Sequence, residues 1–252
     1  MAIPDHLREF PPARAFREGD PTTLYWVRGK EILYRHYPLK GADIKSFSFY
    51  LGSFGKDCKH CYCTSTRLAG GNGATFRTLN FTYATDGLSI WTMGGRIKNA
   101  DAESFMVCDD GVYYISNESP VPYGFGKDKN RVYYYDFDGK PNWVRKASPA
   151  SFVSLNDGHY GKDDCFVFCG SVTLPKAKVE HWRKVGGYYS KDDARVFYFN
   201  RLIPGADYDT FEVANSEGGR QLAKDKNHFY DTDRVVDKAR FLERLHKCGP
   251  MS

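Results

Sequence analysis

The fold of this chain is decided by a short frame whose clearest copy reads Tyr123-Gly-Phe-Gly-Lys-Asp128-Lys-Asn-Arg-Val132-Tyr133-Tyr-Tyr135. In this frame an aspartate is followed by three mainly polar residues, an apolar residue at position +4 and an aromatic residue at position +5. Further copies, with their +4 and +5 residues in parentheses, are headed by Asp163 (Val167, Phe168), Asp192 (Val196, Phe197), Asp225 (Phe229, Tyr230), Asp57 (Cys61, Tyr62), Asp86 (Ile90, Trp91) and Asp20 (Leu24, Tyr25). The copies recur roughly every 30–40 residues, which is typical of a repeat architecture.

A second element alternates with the first and ends in an aromatic residue. Its clearest copies are Gly41-Ala-Asp-Ile-Lys-Ser-Phe47, Asn99-Ala-Asp-Ala-Glu-Ser-Phe105, Lys146-Ala-Ser-Pro-Ala-Ser-Phe152 and Gly205-Ala-Asp-Tyr-Asp-Thr-Phe211, with weaker copies ending at Phe76 and Trp182. Aspartate and serine are good helix caps, so the pattern predicts a short helical turn. We expect its aromatic residue to fill the gap between neighbouring copies of the first element.

The local chemistry of the first element predicts a β-hairpin. Asp128 can cap its own backbone in an Asx-turn, and the β-branched and aromatic residues that follow favour a strand. A further turn and a lone aliphatic residue, such as Ile203 or Val235, indicate a returning strand. One hairpin cannot bury its own face, whereas stacked copies can. We therefore predict a mainly β fold of about seven hairpin units, forming a curved solenoid or extended sheet with short helical turns, with a β-propeller as the alternative.

The repeat also sets the predicted domain boundaries. Residues 1–19 are expected to form an N-terminal extension or cap, residues 20–236 the repeat domain and residues 237–252 a helical cap, because Phe241, Leu242 and Leu245 have helical spacing. The segment between Phe105 and Asp128 is longer than its counterparts, and we expect an extra strand or hairpin there.

Composition narrows the class of protein. The 252 residues carry a net charge of +5 and a mean hydropathy of −0.57, and no apolar stretch approaches the roughly 20 residues of a membrane span, so no membrane association is expected. The basic residues are dispersed, which argues against nucleic acid as a partner. The N-terminus has no secretory pattern and the seven cysteines are an odd number, so we expect reduced thiols and a cytoplasmic location.

One cluster could bind a metal ion. Cys58, His60, Cys61 and Cys63 are four potential zinc ligands within six residues. Aligned on Asp57, however, Cys61 and Cys63 occupy ordinary strand positions on one face, whereas Cys58 lies in the turn. The sequence therefore favours structural cysteines and no metal, with these four residues as the alternative site. The scattered histidines match no catalytic motif, so no catalytic residue and no cofactor are predicted.

Aromatic residues make up 16% of the chain. Strand alternation in Val132–Tyr135 predicts that one set of side chains is buried and the other is exposed. The exposed set could bind a protein or stack on sugars, or the tyrosines could simply form stabilising cross-strand pairs. No partner-binding residue can be assigned from the sequence.

The repeated residues resemble the DKNYY family of bacterial repeat proteins, named for the string that reads Asp128-Lys-Asn-Arg-Val-Tyr-Tyr in this chain. The resemblance covers about residues 20–236 and implies a repeat architecture in a bacterial protein, with no catalytic residues to transfer. Together with the aromatic content, it favours a non-enzymatic protein-binding function. The specific hypothesis is a bacterial immunity protein that occludes a cognate antibacterial toxin, and the alternative is a carbohydrate or cell-envelope binding module.

Overall fold

A computed structural model describes residues 8–9, 24–50, 53–115, 119–137, 139–215 and 221–247. In these ranges the chain is mainly β, with seven four-stranded sheets, one two-stranded hairpin and one helix. Each four-stranded sheet keeps its strands in chain order, and its first and last strands are edges. The prediction of about seven tandem β-hairpin units is confirmed.

The first four sheets occupy the N-terminal part of the chain. Sheet 1 contains β1 (Arg8–Glu9), β2 (Tyr25–Arg28), β3 (Glu31–Tyr34) and β4 (Tyr37–Pro38); sheet 2 contains β5 (Ser48–Phe49), β6 (Phe54–Lys56), β7 (Cys61–Cys63) and β8 (Thr66–Arg67). Sheet 3 contains β9 (Arg77–Thr78), β10 (Ala84–Thr85), β11 (Ile90–Thr92) and β12 (Gly95–Arg96). Sheet 4 contains β13 (Met106–Val107), β16 (Gly124–Lys127), β17 (Val132–Tyr135) and β18 (Asn142–Trp143). The extra hairpin expected before Asp128 is present as β14 (Val112–Ile115) and β15 (Ser119–Pro122).

Three further sheets and the helix complete the described chain. Sheet 5 contains β19 (Val153–Ser154), β20 (Tyr160–Lys162), β21 (Val167–Cys169) and β22 (Val172–Thr173); sheet 6 contains β23 (Arg183–Gly186), β24 (Tyr189–Lys191), β25 (Val196–Tyr198) and β26 (Arg201–Leu202). Sheet 7 contains β27 (Glu212–Asn215), β28 (Leu222–Lys224), β29 (Phe229–Asp231) and β30 (Arg234–Val236), and is followed by α1 (Lys238–Lys247). No helix in the described ranges has the length and apolar character needed to cross a bilayer.

The chain divides into two compact units. The first comprises Met1–Val144 and Ser154–His159 and contains sheets 1–4 and the inserted hairpin. The second comprises Arg145–Val153 and Tyr160–Ser252 and contains β20–β22, sheets 6 and 7 and α1. Strand β19 lies at the boundary between these segments.

Neighbouring sheets pack through shared apolar clusters in each unit. In the first unit, Tyr62 of sheet 2 packs with Tyr25 of sheet 1, while Cys61 packs with Trp91 of sheet 3. Tyr133 of sheet 4 belongs to a further cluster with residues of sheet 3. In the second unit the same kind of cluster joins sheets 6 and 7.

This stacking corrects the expected alternation in Val132–Tyr135. All four side chains are buried, with at most 3% of their surface exposed. The prediction of one exposed set was wrong because both faces of β17 are covered. Tyr133 packs with residues of sheet 3, and the Tyr134 hydroxyl donates to the Gly158 carbonyl at 2.9 Å. A strand buried on both faces has a continuously apolar and aromatic sequence. Few of the repeated tyrosines are therefore available to a partner.

The register of the first unit also differs from the expectation. Tyr25 lies in β2, before the hairpin turn, whereas the frame headed by Asp20 placed it after the turn. Asp20 itself lies outside the described residues. Arg28 takes the position that aspartate holds elsewhere, and its guanidinium forms an ion pair with Glu31 at 3.3 Å. In this hairpin a tight turn at Gly29, with φ 62°, takes the place of the Asx-turn.

The second element forms single turns rather than helices. Its aromatic residue is buried at Phe47, Phe76, Phe152, Trp182 and Phe211, as expected for residues that fill gaps. A helix does form at α1, where the Asp237 side chain accepts the Arg240 N–H at 2.8 Å as an N-cap.

Candidate binding surface

Each repeat aspartate joins the two sequence elements. Oδ1 of Asp128 accepts the N–H groups of Asn130 and Arg131 at 2.7 and 2.8 Å, which forms the expected Asx-turn. Oδ2 accepts the Tyr133 hydroxyl at 2.8 Å and the N–H of Asp101, in the second element, at 2.9 Å. Because four donors surround this buried carboxylate, its role is structural.

The same junction recurs along the chain. The equivalent acceptor and donor residues are Asp57 and Asp43, Asp86 and Asn72, Asp163 and Ser148, Asp192 and Lys178, and Asp225 and Asp207. Burial acts to raise the pKa of Asp57, but hydrogen bonds from the backbone of Lys59 and His60, the Tyr62 hydroxyl and the backbone of Asp43 together outweigh it and lower that pKa. The ionised aspartate is thus the form that the fold stabilises.

The structure separates the candidate metal ligands. Cys61 and Cys63 are buried in the apolar cluster that contains Trp91, and burial raises the pKa of both thiols to about 12. Cys58 is exposed in the turn, and His60 lies beside Asp57, with Nδ1 3.5 Å from Oδ2. No group of three or more metal-ligating side chains occurs among the described residues. The two strand cysteines behave as small apolar residues.

A different group of polar residues surrounds the inserted hairpin. Oδ2 of Asp109 accepts the Phe125 N–H and the Ser154 hydroxyl, both at 2.8 Å, and Oδ1 accepts the Gly111 N–H at 3.0 Å. Burial nevertheless raises the pKa of Asp109 to about 6. Because its three donors come from separate parts of the chain, this carboxylate ties those segments together.

An open groove lies in the first unit, between the last strands of sheets 1 and 2. It has a volume of about 490 Å³, with Tyr62 at its base and Tyr37, Pro38, Lys40, Ser65, Thr66 and Arg67 around it. Tyr37 exposes 65% of its surface, whereas Tyr62 exposes 1% and donates its hydroxyl to Asp57. Two cations and one exposed aromatic ring therefore face solvent, with no carboxylate in the lining.

Similar exposed groups occupy the last strands of the next two sheets. The register pairs Arg67 with Tyr62, Arg96 with Trp91 and Trp143 with Tyr133. Arg67, Arg96 and Trp143 thus hold equivalent positions in sheets 2, 3 and 4, and all three are exposed. The Arg131 guanidinium lies 4.9 Å from the centre of the Trp143 ring. We call Lys40, Arg67, Arg96 and Trp143 the basic edge.

Sequence reasoning found neither this edge nor two further parts of the repeat. Position −3 from the aspartate carries an aromatic residue at Phe54, Tyr83, Phe125, Tyr160 and Tyr189, and each is fully buried. The Tyr83 hydroxyl, for example, donates to the Gly124 carbonyl of the next sheet at 3.0 Å. Position −2 carries only glycine, alanine or serine. Both signals were readable in strings such as Phe125-Gly-Lys-Asp128.

Comparison with known proteins agrees with the repeat. A family model described as the DKNYY family matches two overlapping ranges, residues 50–137 and 83–234, which together cover more than half of the chain. No curated protein and no solved structure matches the chain.

Proposed function

The chain belongs to the DKNYY family, and we propose that it acts by binding another protein. The observation that carries this proposal is the open groove beside Tyr37, Lys40 and Arg67. Tyrosine, tryptophan and arginine are the residue types that contribute most to protein interfaces. In this chain the three types are exposed together along one side of sheets 1–4.

The more specific proposal is an immunity protein that works in the cytoplasm without catalysis, by covering a toxin's active surface. Such occlusion needs a broad contact, about 800 Å² on each partner in a standard interface. Stacked sheets supply a broad contact because each adds one exposed edge strand to the same side of the unit. The bacterial context of the family supports a toxin as the partner.

Co-expression with the products of the genes beside this one, of which one is expected to arrest growth as the toxin, tests the proposal. We expect the full-length chain to restore growth and to form a 1:1 complex with the purified toxin. The matched control is a double variant, Lys40→Glu with Arg67→Glu, which should fold normally because both side chains are exposed. Growth arrest that the wild-type chain does not relieve, together with no complex, would exclude the immunity function.

A carbohydrate-binding function is the second candidate. The exposed Tyr37 ring and the neighbouring Ser65 and Thr66 hydroxyls could stack on and hydrogen-bond to a sugar. Binding of soluble cell-wall glycans that is abolished by Tyr37→Ala, with no binding of the toxin, would favour this function.

A further inference from the structure

The basic edge has a regular spacing that limits what it can bind. Arg67 and Arg96 lie opposite the +5 aromatic residues of two sheets that share one apolar cluster. Packed sheets are about 10 Å apart, so equivalent residues on their last strands repeat at about that distance. The equivalent cationic positions are therefore Arg67 on sheet 2 and Arg96 on sheet 3. On sheet 1 the register places Pro38 at this position, and the exposed Lys40 follows two residues later.

The charge of this edge has one sign. In sheets 1–3 the last strands with their flanking residues, 35–40, 64–69 and 93–98, contain five lysine or arginine residues and no aspartate or glutamate. In sheet 4, residues 140–144 contain Lys140 and no acidic residue, although Asp136 and Asp138 precede them in the sequence. Within the described residues, neither Arg67 nor Arg96 forms an ion pair. The equivalent residues of the second unit are the uncharged Thr173, Leu202 and Val235. The positive charge is thus a property of this edge in the first unit.

We propose that the basic edge binds an extended acidic segment of the partner protein, with carboxylates at every third residue. This inference rests on the proposed protein-binding function and specifies the partner's chemistry. A segment in the polyproline II conformation has three residues per turn and rises about 3.1 Å per residue, so acidic residues at positions i, i+3 and i+6 lie on one face about 9 Å apart and face Lys40, Arg67 and Arg96. Trp143 of sheet 4 then packs against the partner residue that follows position i+6.

Other ligands fit the spacing less well. Duplex DNA carries phosphates about 3.4 Å apart along each strand, which is a denser charge than one cation per sheet can match. A neutral sugar gives Arg67 and Arg96 nothing to pair with. Backbone pairing adds little on sheet 1, because Pro38 has no N–H to donate at the outer side of β4.

Fluorescence anisotropy with two labelled peptides of equal composition tests the spacing. One peptide carries Glu-Ser-Thr-Glu-Ser-Thr-Glu and the other Glu-Glu-Glu-Ser-Thr-Ser-Thr. With the full-length chain at low salt, we expect the spaced peptide to bind at least five-fold more tightly, and its affinity to fall as salt is added. Equal affinity for the two peptides, or no binding of either, would overturn the proposal.

Charge reversal locates the site. Arg67→Glu and Arg96→Glu should each weaken binding of the spaced peptide at least ten-fold, and Arg67→Gln should have a smaller effect. Arg77→Glu is the matched control, because Arg77 is exposed on β9, at the opposite edge of the same sheet as Arg96. An equal loss in Arg77→Glu, or tighter binding of a single-stranded DNA oligomer than of the peptide, would overturn the assignment.

The two proposals fail in different ways. If Arg67→Glu with Arg96→Glu still forms the toxin complex and restores growth, the protein-binding function stands and the basic edge is not its surface. If the wild-type chain binds the spaced peptide but neither binds nor neutralises the toxin, the acidic-segment site stands and the immunity function fails.

Discussion

The backbone N–H of Asp101 donates to Oδ2 of Asp128 at 2.9 Å, although the two residues are 27 positions apart. The corresponding bond from Asp43 to Asp57 in sheet 2 spans 14 positions. The difference is the inserted hairpin β14–β15, which leaves the junction between the two sequence elements intact. Doubling the length of a loop adds only about 0.6 kcal/mol to the free-energy cost of closing it. One unit can therefore accept an insertion, provided that its aspartate keeps its hydrogen bonds to both sequence elements.

Adjacent aspartates in sheet 5 provide a direct test of this junction. The Asp163 carboxylate accepts the N–H groups of Ser148, Cys165 and Phe166 at 2.7–2.8 Å, whereas Asp164 is exposed. We expect Asp163→Ala to lower the free energy of unfolding by about 2–4 kcal/mol, because three donors lose their acceptor. Asp164→Ala should change it by less than about 0.5 kcal/mol. Urea unfolding measures both, and equal losses would contradict a capping role for Asp163.

The hairpins could be predicted because their causes are local. An Asx-turn and a run of β-branched and aromatic residues are both encoded within about eight residues, as at Asp128 to Tyr135. The inserted hairpin was equally accessible, since it appears as extra length between two recognisable elements. The number of sheets followed from counting the frames.

The burial pattern and the basic edge could not be predicted in the same way. Whether Tyr134 is exposed to water depends on residues distant in the sequence, such as Gly158, whose carbonyl accepts its hydroxyl. The two-residue alternation assumes that one face of the strand is exposed to solvent. Arg67 and Arg96 lie in short strands with no motif of their own. Their equivalence appears only once pairing with Tyr62 and Trp91 fixes the register.

The small residue at position −2 leads to a second prediction. A Cβ added to Gly161 would lie 2.4 Å from Cζ of Phe152, whose ring is buried. We therefore expect Gly161→Ala to lower the free energy of unfolding by about 1–3 kcal/mol through overpacking. Phe152→Leu removes the ring that the new Cβ would meet. The double variant should therefore be more stable than the sum of the two single effects predicts. Strict additivity in a double-mutant cycle would show that the clash is absent.

Thiol reactivity tests the structural assignment of the cysteines. Cys58 and Cys165 are exposed and should be alkylated within minutes in the folded protein, whereas Cys61 and Cys63, with pKa values raised to about 12 by burial, should react only after unfolding. Peptide mapping by mass spectrometry after brief iodoacetamide treatment separates the two classes. Protection of Cys58 by one equivalent of zinc, together with a higher melting temperature, would instead support the four-residue metal site.

Asp109 should make stability depend on pH in a direction opposite to that of the capping aspartates. Burial raises its pKa to about 6 in the folded chain, from an ordinary value of 3.8. Between these two values the folded state holds a proton that the unfolded state has lost. Stability therefore falls as the pH rises through this window and becomes level above it. At about 1.4 kcal/mol per pH unit, the full effect is about 3 kcal/mol.

The capping aspartates whose pKa is lowered, such as Asp57 and Asp225, act in the other direction, because their stabilisation is lost as the pH falls below their ordinary value. Comparison of the wild type with Asp109→Asn isolates the Asp109 effect, since all other groups titrate in both proteins. From urea unfolding between pH 4 and 8, we expect the stability of the wild type relative to the variant to decrease by up to about 3 kcal/mol as the pH rises. Ser154→Ala removes a hydrogen bond that lowers this pKa, so it should extend the decrease to higher pH. Parallel profiles for the wild type and Asp109→Asn would show that the pKa of Asp109 is not raised in the folded chain and that its three donors offset its burial.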